Sequence, residues 1–133
     1  MSDTQNNEKS KKIKILLAED DKFISRAYFD GLSRAGYEMV TAFNGNEALK
    51  KAKEEKFDLI LLDVIMPEKN GFEVLEEIKK DADLSKIPVI VLSNLGQTTD
   101  IEKGKELGAS DYMIKSNYSM SEVIEKIKKY TTQ

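Results

Sequence analysis

The sequence predicts an α/β domain, a parallel sheet buried between helices, on three observations. Four short apolar runs, residues 13–18, 59–62, 89–92 and 112–114, are rich in β-branched residues and Leu and barely alternate, as strands covered on both faces do. Helical periods alternate with them, the order of an α/β chain. Each run also stops on a polar residue: Glu19-Asp20, Asp63, Ser93 and Lys115. Ligands of open parallel sheets bind just outside the carboxyl ends of the strands, so these side chains are expected to share one rim.

Taken in order, residues 1–12 are polar and charged without an apolar period, and read as a disordered tail. The first strand, 13–18, leads into a helix over about 21–35 that closes on Gly36 as its C-cap residue; Gly31 weakens that helix somewhat. A second strand covers about 38–43. The next helices are announced by cap signals: Asn44, Asn70, Thr99 and Ser119 are followed three residues on by Glu47, Glu73, Glu102 and Glu122, the capping-box spacing. Leu49 and Ala52 suit the buried face of the second helix, and Phe72, Leu75 and Ile78 that of the third. Met120, Val123, Ile124 and Ile127 form an i, i+3, i+4, i+7 stripe on the fifth. The fourth helix, near 99–107, has only Ile101 and Leu107 as large anchors, with Gly104 between them, and should be the least firmly held. Pro88 opens the fourth strand, a tolerated position. The order is strand-helix five times: a tail over 1–12, one domain over 13–130, and a short tail over 131–133.

Composition removes whole classes of function. The chain has 133 residues, no Cys and no His, which excludes thiol catalysis, disulfides, a Ser-His-Asp triad and imidazole zinc ligands. The net charge is −3 and the 21 basic residues include just two Arg, Arg26 and Arg34, a poor surface for reading nucleic acid directly. No apolar stretch approaches 18 residues and no leader pattern is present, so a cytoplasmic protein without membrane insertion is expected.

The rim chemistry reads as follows. Carboxylates from two strand ends, Glu19-Asp20 and Asp63, suit Mg²⁺, which prefers oxygen ligands, because like charges gathered at one rim repel unless a cation offsets them. The plainer reading of Asp20 is a cap on the first helix. Ser93 could bond local backbone, Lys115 could be a solvated surface residue, and Tyr112 a core aromatic with a wet hydroxyl. Their coincidence at the strand ends favours a site.

With those residues in place, the chain resembles a response-regulator receiver domain of two-component signalling over about residues 12–130, in the manner of stand-alone chemotaxis-type receivers. The resemblance rests on Glu19-Asp20, the Asp63 loop with Pro67 and Gly71, the hydroxyl of Ser93, and the closing Tyr112-Met113-Ile114-Lys115. It implies a doubly wound, flavodoxin-like sheet in the order 2-1-3-4-5 with helices on both faces. By the same resemblance, Asp63 accepts a phosphoryl group from a histidine kinase or phosphotransfer protein. Glu19, Asp20, Asp63 and the backbone carbonyl of Ile65 hold Mg²⁺, while Ser93 and Lys115 bind the phosphoryl oxygens. Tyr112 turns inward as Ser93 is drawn to the phosphoryl group, relaying the change to a face made by the fourth helix, fifth strand and fifth helix. The domain is then a switch rather than an enzyme, acting on a separate target protein or passing the group on in a relay. It is expected as a monomer, with a phosphorylation-dependent dimer as the alternative.

Three positions depart from the family pattern: Glu19 where Asp is frequent, Asn94 where a small residue is preferred, and Ser116 where Pro usually follows the Lys. A trans Lys115–Ser116 bond is expected, since a non-proline cis bond costs about 2.5–4 kcal/mol. Ile65 and Leu95 flank the approach of hydrolytic water in this family, with Asn94 adding bulk, so a slow loss of the phosphoryl group is expected. An Asp-nucleophile phosphatase would want an acid where Ile65 stands. A flavin carrier would want a hydroxyl- or Gly-rich loop where Glu19 and Asp20 stand.

Overall fold

Apolar runs with no polar face can be stable only inside a layered structure, and that is how the chain folds. The computed structural model describes residues 12–131; the tail expected over 1–12, Lys12 apart, and residues 132–133 lie outside the described residues. The elements are β1 (Lys14–Ala18), α1 (Lys22–Arg34), β2 (Glu38–Ala42), α2 (Gly45–Glu54), β3 (Leu59–Leu62), α3 (Gly71–Lys80), β4 (Val89–Ser93), α4 (Thr98–Glu106), β5 (Asp111–Ile114) and α5 (Met120–Thr131). Single 3₁₀ turns occur at Leu84–Lys86 and Lys115–Asn117. The strands are all parallel, in the order β2-β1-β3-β4-β5, as the sequence led us to expect. No helix among the described residues is long and apolar enough to cross a membrane.

The period of two along each strand sorts side chains to the two faces. Leu16, Ala18, Ile60 and Leu62 pack with Ala48, Leu49, Ala52, Val74, Leu75 and Ile78 of α2 and α3. Ile15, Leu17, Leu59, Leu61, Ile90 and Leu92 pack instead with Leu32 of α1 and with Val123 and Ile127 of α5. A smaller cluster of Val64, Phe72, Val91 and Tyr112 sits beneath α4, with Ile101 and Leu107 leaning on it. α4 buries Gly104 alone, in keeping with a weakly anchored helix.

Most cap signals form. Asn44 and Asn70 each accept the N–H three residues on, at 2.8 and 3.0 Å, and Ser119 closes a reciprocal box with Glu122. Gly36 follows α1 at φ 102°. The Thr99–Glu102 box does not form: α4 begins at Thr98, and Asp100 takes the Gln97 N–H at 3.1 Å. Gln97 has the extended backbone of a cap residue, and Asp100 lies three residues beyond it, so the helix starts before Thr99 can cap it. Strands one and two are each one residue shorter than expected, and α5 runs to Thr131.

Candidate functional site

The sheet order reverses between β1 and β3, and Glu19 and Asp63 follow the ends of those two neighbouring strands. Such a switch point opens a crevice at the carboxyl rim. Register makes the meeting unavoidable: Ala18 pairs with Leu62, and the Asp63 N–H donates to the Ala18 carbonyl at 3.0 Å. Lys115 arrives from the end of β5. Its Nζ donates to Asp63 Oδ2 at 2.7 Å and to Glu19 Oε1, joining residues 52 and 96 positions apart.

Three consecutive acids divide the work after β1. Glu19 is 2 % exposed, with one oxygen on Lys115 and the other accepting the Asp21 N–H at 3.0 Å. Asp21 caps α1, accepting the N–H groups of Phe23 and Ile24 at 2.9 and 3.0 Å. The cap reading weighed for Asp20 therefore falls to its neighbour, and the Asp20 carboxylate makes no hydrogen bond or ion pair with any described residue. Glu19, Asp20 and Asp63 offer oxygens that all lie within 4.8 Å of one another. One ammonium among three carboxylates leaves two uncompensated negative charges, a donor set that fits a divalent hard cation.

The charges are tuned by burial against pairing. Burial pushes the Glu19 carboxyl above its ordinary value and outweighs the Lys115 and Asp21 hydrogen bonds that favour its ionised form. Burial also disfavours the Lys115 ammonium, but the bonds to Asp63 and Glu19 prevail and hold its pKa above the ordinary lysine value.

The loop after Asp63 is held tightly. Ile65 donates its N–H to Asp63 Oδ1 at 3.3 Å, the Gly71 N–H returns to the Val64 carbonyl at 2.8 Å, and Asn46 Nδ2 donates to Glu68 Oε1 at 3.0 Å. A Cβ on Gly71 would stand 2.1 Å from the Asp63 carbonyl oxygen, so the loop can close there only over glycine. Glu68 takes φ 70°, a left-handed conformation costing a non-glycine residue about 1–2 kcal/mol. Ile65 projects outward, 59 % exposed, whereas Leu95 leans on the Val64–Tyr112 cluster.

Ser93 is wholly buried, and its Oγ accepts the Leu95 N–H at 3.2 Å. Tyr112 is the residue that the sequence reading has turn inward as a phosphoryl group draws on Ser93. It is already in, 7 % exposed, with its hydroxyl donating to the Leu95 carbonyl. The absence of a side chain at Gly104 makes the room, since a Cβ there would meet the Tyr112 ring at 2.8 Å. Burial, aided by the charges of Asp100 and Asp63, pushes the phenol up to about 12. All described peptide bonds are trans, Lys115–Ser116 included.

Sequence reasoning missed Tyr28, a half-buried α1 residue whose phenol is raised by burial and feels Lys115, Glu19 and Asp63. It also missed the brace from Asn46. Neither carries a local signal, because each meets the site only through tertiary packing.

At its switch point the doubly wound sheet gathers three acids and a lysine. The chain belongs to the response regulator receiver domain family, which matches residues 15–128. It is 45 % identical over 105 residues to the probable transcriptional regulator ycf27 of Galdieria sulphuraria, covering 79 % of this chain and 40 % of that one. It is 39 % identical over 117 residues to the transcriptional regulatory protein CrdR of Helicobacter pylori, covering 88 % and 54 %. The chain thus spans about half or less of the length of these curated relatives. Among solved structures, the Vibrio cholerae chemotaxis protein CheY4 superposes with TM-score 0.84 at 28 % identity, covering 90 % of this chain and 99 % of that one. A response regulator of Chloroflexus aurantiacus superposes with TM-score 0.86 at 25 % identity, covering 92 % and 100 %. Receiver domains are signalling switches that take a phosphoryl group from histidine kinases or phosphotransfer proteins.

Proposed function

We propose that this domain is a phosphorylation-controlled switch in which Asp63 is the acceptor and a separate protein reads the result. An Asp63 oxygen attacks the phosphorus of the donor, the new P–O bond forms as the donor's P–N bond breaks, and the donor imidazole leaves with its nitrogen lone pair. Such transfers depend on positioning and charge neutralisation more than on covalent help from the protein. Lys115 and Ser93 bind the phosphoryl oxygens. Glu19, Asp20, Asp63 and the Ile65 carbonyl would hold Mg²⁺, which when bound neutralises charge on those oxygens.

The observation that carries this reading is the Lys115 ammonium held on Asp63 and Glu19 beside an unengaged Asp20 carboxylate. The Tyr112 hydroxyl on the Leu95 carbonyl supports a route outward, joining the loop after Ser93 to the α4–β5–α5 face. That link favours engagement of a target through this face. Intact mass after incubation with acetyl phosphate and Mg²⁺ tests the chemistry. One added phosphoryl group is expected, lost with chelator and in Asp63→Asn; a group that persists in Asp63→Asn refutes the assignment.

A further inference from the structure

We propose that Asn94 is a positioning residue for Lys115, acting through the backbone of Ser116. The Ser116 N–H donates to Asn94 Oδ1 at 3.1 Å, across 22 residues of sequence. Asn94 follows Ser93 and Ser116 follows Lys115, so one hydrogen bond joins the two loops that carry the phosphoryl-binding side chains. Two contacts run beside it. The Tyr112 hydroxyl holds the Leu95 carbonyl, and Gly96 lies so close to Ile114 that a Cβ would come within 2.7 Å of Ile114 Cδ1. Asn94, Leu95 and Gly96 in succession therefore meet β5 or the turn after it.

The turn Lys115–Asn117 needs such a tie. It buries no residue, and the Tyr118 N–H that closes it reaches the Lys115 carbonyl at 3.4 Å. Lys115 is drawn to Glu19 and Asp63 at once, and its long stem lets the ammonium follow either. Anchoring the neighbouring backbone fixes where the stem begins and so which oxygens the ammonium can reach. The bond has two requirements, an acceptor of this length at position 94 and an N–H at position 116, which proline lacks. The two departures at Asn94 and Ser116 are then one feature, each supplying half of a hydrogen bond.

The kinetic arm of the test rests on the reading of Asp63 as acceptor; the exchange arm does not. In the full chain, hydrogen exchange at the Ser116 amide should quicken about three- to tenfold in Asn94→Ala and stay near wild type in Asn94→Asp, which keeps the acceptor. With acetyl phosphate, the rate of Asp63 phosphorylation should fall about three- to tenfold in Asn94→Ala and in Ser116→Pro. The double variant should be no slower than either single one, since both remove the same bond. Unchanged Ser116 exchange in Asn94→Ala, or single effects that multiply in the double variant, overturns the proposal. A wild type that takes up no phosphoryl group would instead sink the acceptor reading and leave the exchange result to decide this one.

Discussion

Replacing Asp63 by Asn should make the protein more stable while abolishing its response to Mg²⁺. At an effective dielectric of about 20, unit charges 4.8 Å apart interact by about 3.5 kcal/mol and those 2.7 Å apart by about 6 kcal/mol. Asp63→Asn removes repulsion from Glu19 and Asp20, the latter weakened because Asp20 faces water, and gives up attraction to Lys115. These nearly offset, so desolvation decides the sign. Asp63 is 6 % exposed, and keeping a carboxylate ionised at such a position costs several kcal/mol. An amide of the same shape avoids that cost and still accepts from Lys115. We expect a gain of about 1–2 kcal/mol, or about 4–8 °C in Tm for a domain of this size. Thermal and urea unfolding in EDTA would read it. Mg²⁺ at ten times its Kd should then stabilise the wild type by about 1.4 kcal/mol and leave the variant unmoved. A variant less stable than wild type in EDTA, or equal stabilisation of both by Mg²⁺, would refute the reasoning.

Two further outcomes are expected. We predict slow loss of the phosphoryl group; because Ile65 stands exposed at the mouth while Leu95 leans on the core, Ile65→Asn should quicken decay more than Leu95→Glu, followed by intact mass, and no change in either would remove water access as the control. Burial raises the Asp111 carboxyl, but its bonds from the Tyr112 N–H, Lys126 and Tyr130 outweigh this and hold it below its ordinary value. The stability from this cluster is present above the unfolded-state value of about 4 and is lost as pH falls through the lower folded one; urea melts should show a smaller acid loss in Asp111→Asn, and equal losses would count against it.

Much of this protein is determined by the sequence alone, because the decisive signals are local. Apolar runs without alternation specify strands covered on both faces, and polar residues at their ends specify a rim. Asn44, Asn70 and Ser119 each hold their own helix start, a contact three residues long. What only the tertiary structure decided depends on neighbours distant in sequence. Nothing local tells which of Glu19, Asp20 and Asp21 caps α1, which holds Lys115 and which stays unengaged; Lys115, 96 residues away, draws Glu19 inward, and the turn into α1 gives the cap to Asp21. The inward Tyr112 follows from how β5 packs under α4, where Gly104 leaves space for the ring. Asn94 and Ser116 read singly as two departures from a pattern. They become partners only because β4 and β5 lie side by side, Ser93 opposite Ile114, so that the residues just beyond the strand ends come within reach of one hydrogen bond.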